Sequence, residues 1–124
     1  PPPLDLIATQ PSQLFAKFSH YLEALDLEPP AVNTAALVGH STLRIDSMQD
    51  LQRPASNNET NMMKQKLEKS LEAGAIGFST GLAYQPASHA STEEVISLAK
   101  SLRSVKSVHT TYMRNEGNFI KDSL

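Results

Sequence analysis

Three polar runs hold the residues that could do chemistry. They are Gly39-His40-Ser41-Thr42-Leu43-Arg44, then Gly77-Phe78-Ser79-Thr80-Gly81 leading on to Tyr84, then His109-Thr110-Thr111-Tyr112-Met113-Arg114-Asn115-Glu116-Gly117. Imidazoles, guanidiniums, phenols and a carboxylate are the groups from which catalytic, ligand-holding and metal-binding sites are made. Each run begins where a short apolar stretch ends. Parallel α/β proteins place their chemistry in this way, at the carboxyl ends of strands.

Taken singly, most of these residues have an ordinary role beside the functional one. His40 follows Gly39 where a strand should give way to a loop, a position for a catalytic or ligand group; a lone His there commonly serves as a hydrogen-bonding scaffold residue. Arg44 could hold an acidic partner such as Asp46, or a substrate carboxylate. A loop ion pair of that kind is worth about 0–1 kcal/mol. Tyr84 has an aromatic body and a polar tip, suited to the wall of a binding site or to plain packing. On a strand, His109 and Thr111 share one face while Thr110 and Tyr112 share the other, and Glu116 follows at the strand's end. Neither an HxH nor an HExxH spacing occurs, so spacing offers no zinc site within the chain.

Gly77-Phe78-Ser79-Thr80-Gly81 formally matches G-x-S-x-G, the nucleophile elbow of serine hydrolases. That device needs a helix directly after the serine, whereas Pro86 interrupts the segment after Gly81 and the next cap waits until Ser91. The acid-then-histidine order of a triad is also missing: only Glu116 and Asp122 come after His109. Small residues here fit a strand end lying close to a ligand or a neighbouring backbone.

The elements that must position these groups are readable in outline. Prolines make residues 1–11 a loop, and Ser12 is a candidate N-cap for a helix with Leu14, Phe15, Phe18, Leu22 and Leu25 on one face, ended by Pro29-Pro30. Residues 31–38 are expected to form a buried strand. Residues 39–55 are expected to form a polar loop with a helical turn near 48–51. Ser56-Asn57-Asn58-Glu59 fits a capping box opening a helix with Met63, Leu67 and Leu71 inward and Gly74 at its C-terminal cap. Residues 75–80 are the second expected strand. Ser91-Thr92-Glu93-Glu94 reads as another capping box, before a helix with Val95, Ile96, Leu98, Ala99 and Leu102 inward. Residues 107–112 are the third strand, and the start of a helix comes after it. Alternation of this kind predicts a parallel α/β sheet with right-handed crossovers.

Composition narrows the options. A chain of 124 residues is at most one domain, and residues 1–124 are read as part of one. Net charge is −2, and the lysines and arginines are scattered, so nucleic acid is not an expected partner. No apolar run is long enough to span a bilayer and no signal-peptide pattern opens the chain, so no membrane role is expected. The absence of cysteine excludes disulfides and thiolate metal sites and is compatible with a reducing compartment; a cytoplasmic location is expected. The opening Pro1-Pro2-Pro3 without Met, and an ending in a helix's first turns, predict a piece of a longer polypeptide. Three parallel strands alone have two open edges and little cover, which suits a slice of a larger barrel and favours self-association.

Together the runs resemble the N-acyl-D-amino-acid deacylases (D-aminoacylases) of the amidohydrolase superfamily, over essentially the whole chain. The likeness lies in Phe15-Ala16-Lys17-Phe18-Ser19-His20-Tyr21-Leu22, Val38-Gly39-His40-Ser41-Thr42-Leu43-Arg44, Ala73-Gly74-Ala75-Ile76-Gly77, Ser79-Thr80-Gly81, Tyr84, His89-Ala90-Ser91-Thr92-Glu93-Glu94 and Met113-Arg114-Asn115-Glu116-Gly117. The resemblance implies a metal-dependent (β/α)8 hydrolase in which zinc activates water against an acyl amide, giving a carboxylate and a D-amino acid. This chain would supply about the third, fourth and fifth barrel strands. It places Tyr84 in the substrate loop and His40, Arg44 and Glu116 as supports at the catalytic face.

Of the family's metal ligands, only the histidine ending the fifth strand falls within these residues. Where the family reads approximately Tyr-x-Thr-His-Met-Arg, this chain reads His109-Thr110-Thr111-Tyr112-Met113-Arg114, so the metal position carries Tyr112. A phenol of ordinary pKa about 10 must lose a proton before it ligates, which lowers affinity. The expectations are zinc in the family, none held by this chain alone, an N-acyl amino acid as the family's substrate and no deacylase activity from the isolated chain. The alternative is a non-catalytic, degenerate homologue with a structural or self-associating role.

Overall fold

The computed structural model describes residue 10 and residues 14–123. The expected loop over residues 1–11 and the Ser12 cap lie outside the described residues, apart from Gln10. Helix α1 spans Phe18–Leu27, with Lys17 at its cap position making no side-chain cap bond. Leu14 and Phe15 precede it and are exposed rather than part of its apolar face.

Strand β1 is Leu37–Gly39, shorter than the expected 31–38. Only these three residues pair with a neighbouring strand; before them, the Ile76 N–H donates to the Ala36 carbonyl and Val32 stands exposed. Helix α2, His40–Ser47, starts at once. This corrects the expected loop over 39–55 with a turn near 48–51. Helix α3, Asn57–Glu72, opens on the anticipated box: Ser56 accepts from the Glu59 N–H, and the Glu59 carboxylate accepts from the Ser56 N–H at 2.8 Å. It closes at Gly74, whose φ of +119° is open to glycine at little cost.

Strand β2 is Gly77–Gly81, helix α4 is Thr92–Ala99, a 3₁₀ turn comes next at Lys100–Ser104, and strand β3 is Val108–Tyr112. The sheet runs β1-β2-β3, all parallel, with Val38, Phe78 and His109 in one register row and Gly81 opposite Tyr112. Val38 and Phe78 join Leu43, Met63, Leu67, Leu71, Leu98 and Leu102 in one core, so the helices cover one face of the sheet. The other face carries Ser79, Thr110 and Tyr112 and has no helix on it among the described residues. Among those residues no helix is long and apolar enough to cross a membrane.

Candidate functional site

Helix α2 buries two polar side chains beside the apolar Leu43. His40 and Arg44, one turn apart on one face, are both inaccessible to solvent. Each of the five guanidinium N–H donors of Arg44 has an acceptor. Nη1 donates to both Glu94 carboxylate oxygens at 2.6 Å, Nε to the Pro86 carbonyl at 2.6 Å, and Nη2 to the carbonyls of Arg53 at 2.7 Å and Leu51 at 3.4 Å. Glu94 also accepts from His40 Nε2 at 2.9 Å and from the Ala55 N–H at 3.1 Å. Burial pushes the Glu94 carboxyl up, but the hydrogen bonds from His40 and Arg44, then Ala55, outweigh it and hold the pKa at about 2. His40 Nδ1 is buried without a hydrogen-bond partner among the described residues.

Two expectations are corrected by this cluster. Arg44 does not pair with Asp46, which bonds Lys66 at 2.6 Å instead. Ser91 caps α4 by accepting from the Glu94 N–H at 3.1 Å, but the Glu94 side chain turns inward to Arg44, so only half of the second capping box forms.

At the carboxyl ends of β2 and β3 the chemistry is open. Tyr84 and Tyr112 are each 47% exposed, with ring centroids 5.6 Å apart and planes tilted by 30°. Gly81 makes room for this: a Cβ there would meet Tyr84 Cδ2 at 2.6 Å. Arg114, just past β3, donates through Nη1 to the Ser88 carbonyl and through Nη2 to the Ala90 carbonyl at 2.8 Å. Glu116 is exposed and outside both clusters.

His109 lies on the opposite face from Tyr112, as strand alternation requires. Its ring stacks on Phe78 with centroids 5.4 Å apart, and its Nε2 is 3.1 Å from Thr80 Oγ1, which also donates to Thr111 at 2.8 Å. Burial, with His40 adding in the same direction, pushes the His109 pKa down. His109 therefore cannot turn to the face where Tyr112 stands. Among the described residues no three His, Cys, Asp or Glu side chains converge as a metal cage. The residues present do not by themselves fit a zinc site. A cleft of about 730 Å³ between α1, β1, α2 and α3 lies apart from both tyrosines.

A parallel α/β unit with polar groups gathered at the carboxyl ends of its strands has the form of a slice of a (β/α)8 barrel. No family model matches the chain. Among curated proteins it is 45% identical over its whole length to a D-aminoacylase of Alcaligenes xylosoxydans xylosoxydans, and 44% identical over 89% of its length to an N-acyl-D-glutamate deacylase of the same organism. It spans 26% and 22% of those relatives. A solved D-aminoacylase described as defining a novel subset of amidohydrolases superposes with a TM-score of 0.95 at 50% identity, over 99% of this chain and 26% of that one. The Bordetella bronchiseptica N-acyl-D-glutamate deacylase, solved with zinc and a phosphonate mimic of the tetrahedral intermediate, gives a TM-score of 0.90 at 42% identity, over 97% and 25%. The chain belongs to the D-aminoacylase family and corresponds to about a quarter of its members' length.

Proposed function

We propose that this chain is the part of an N-acyl-D-amino-acid deacylase that presents Tyr84 to the substrate and stands Tyr112 at the family's metal position. The observation that carries this reading is the Tyr84–Tyr112 pair, open at the carboxyl ends of adjacent strands on the sheet face without helices. The reaction would split the acyl C–N bond with water, leaving a carboxylate and a free D-amino acid. Within it the Tyr84 hydroxyl would donate a hydrogen bond to a substrate oxygen, while Arg44, set by Glu94 and His40, would hold the loop behind it at the Pro86 carbonyl. Glu116, exposed beyond β3, is free to meet a ligand or a neighbouring part of the full-length polypeptide. Zinc would come with ligands supplied outside this chain.

Release of free amine from N-acetyl-D-amino acids over their L forms by the full-length polypeptide tests the reading. Tyr84→Phe is expected to raise KM about tenfold, the loss of one substrate hydrogen bond worth about 1.4 kcal/mol. No D-selective release would favour the second reading, a non-catalytic homologue retained for structure or self-association. The phenol at position 112 and the open β3 edge are what support it.

A further inference from the structure

The loop over residues 82–90 joins β2 to α4 and carries Tyr84, and its base is buried: Pro86 and Ala87 are inaccessible and Ala90 is nearly so. Buried carbonyls require partners. The loop's internal bonds use the N–H groups of Tyr84, Ala87, Ser88 and Ala90 and the carbonyls of Gly81, Tyr84 and Ala87. The carbonyls of Pro86, Ser88 and Ala90 are taken by guanidiniums, the first by Arg44 and the other two by Arg114.

The two arginines differ in kind. Arg44 has four other acceptors in the core, so its place is fixed whatever the loop does. Arg114 follows β3, two residues after Tyr112, and both its hydrogen bonds among the described residues go to this loop. The Leu82 N–H donates to the Tyr112 carbonyl at 3.2 Å, tying the loop's start to the same strand end. Tyr84 sits between these two ties, its ring over Gly81 and against Tyr112.

We propose that Arg114 is a positioning residue: by bridging the Ser88 and Ala90 carbonyls it locks the 82–90 loop to the end of β3 and so sets the Tyr84 ring against Tyr112. Its consequence for substrate rests on the proposed role of Tyr84 in binding. A planar fork spans two carbonyls, whereas a lysine ammonium offers one point.

The test is NMR on the full-length polypeptide that carries this chain, reading the Tyr84–Tyr112 ring contact and amide exchange along 84–90, with N-acetyl-D-alanine then added as probe. In Arg114→Ala the ring contact is expected to vanish and exchange at Ala87, Ser88 and Ala90 to rise about tenfold, with α3 amides unchanged. Arg114→Lys is expected to restore this only in part. An unchanged ring contact and unchanged loop exchange in Arg114→Ala overturn the proposal. Should α3 amides also lose protection in Arg114→Ala, Arg114→Lys decides: a loop-confined change supports the proposal, and native-like loop and rings overturn it. Failure of the substrate reading looks different: the probe leaves the wild-type Tyr84 ring signals unmoved while the loop still answers to Arg114.

Discussion

The chain's two polar clusters use similar residue types in opposite ways. Between β1 and α4, His40, Arg44 and Glu94 are buried and joined through the Glu94 carboxylate, and Arg44 also bonds the Pro86 and Arg53 carbonyls. At the end of β3, Tyr112 is exposed with its ring against Tyr84, and Glu116 stands exposed beyond that pair. Burial thus divides these residue types into a bonded interior set and a solvent-open set. Removing one partner from a buried charged group is far costlier than removing an exposed charge, and that asymmetry makes the division measurable.

The largest expected effect comes from Glu94→Ala, which leaves a buried guanidinium without its carboxylate. A loss of about 3–5 kcal/mol is expected, enough to unfold a marginal domain, while Glu116→Ala should stay within about 0.5 kcal/mol. Urea midpoints compare the two, and equal shifts would break the distinction between the clusters.

Acid sharpens it next. Glu94 has an ordinary pKa of 4.5 and about 2 in the fold, so its stabilisation is complete above 4.5 and is lost as pH falls toward 2. Glu59, held at about 2 chiefly by the Arg53 hydrogen bond and then by Ser56, titrates in the same window. Stability measured between pH 5 and 2 (about the range of these carboxylates) is therefore expected to fall in wild type and to fall less steeply in Glu94→Gln. An identical slope would show that Glu94 contributes nothing to the acid sensitivity. Smaller still, Ser56→Ala should cost about 1 kcal/mol in thermal or urea unfolding, since it removes a helix cap and leaves the buried ion pair in place.

Much of the frame is legible in the sequence because local chemistry announces it. The Ser56/Glu59 box, the Gly74 stop, the apolar stretches before Gly39 and Gly77 and the helix–strand alternation point to α3 and the three parallel strands. Helix α2 escapes such a reading because its inward face is His40 and Arg44 with only Leu43 beside them, so apolar periodicity is silent. The spacing of four between His40 and Arg44 is the available signal. Glu94 misleads for a related reason: Ser-x-x-Glu predicts a reciprocal cap, but a buried guanidinium competes for the carboxylate and wins. Residues 31–36 look like a strand yet have no partner strand to pair with among the described residues. The tyrosine pair is half legible, with each residue distinctive on its own but their contact hidden in the path of the 82–90 loop.

The measurement that bears most directly on the central claim is the zinc content of the full-length polypeptide that carries this chain, as wild type and as Tyr112→His, after dialysis against metal-free buffer. The expected result is a clear gain of bound zinc in Tyr112→His, with D-selective deacylation rising alongside it. Equal zinc and equal activity in the two proteins would contradict the placement of Tyr112 at the metal position.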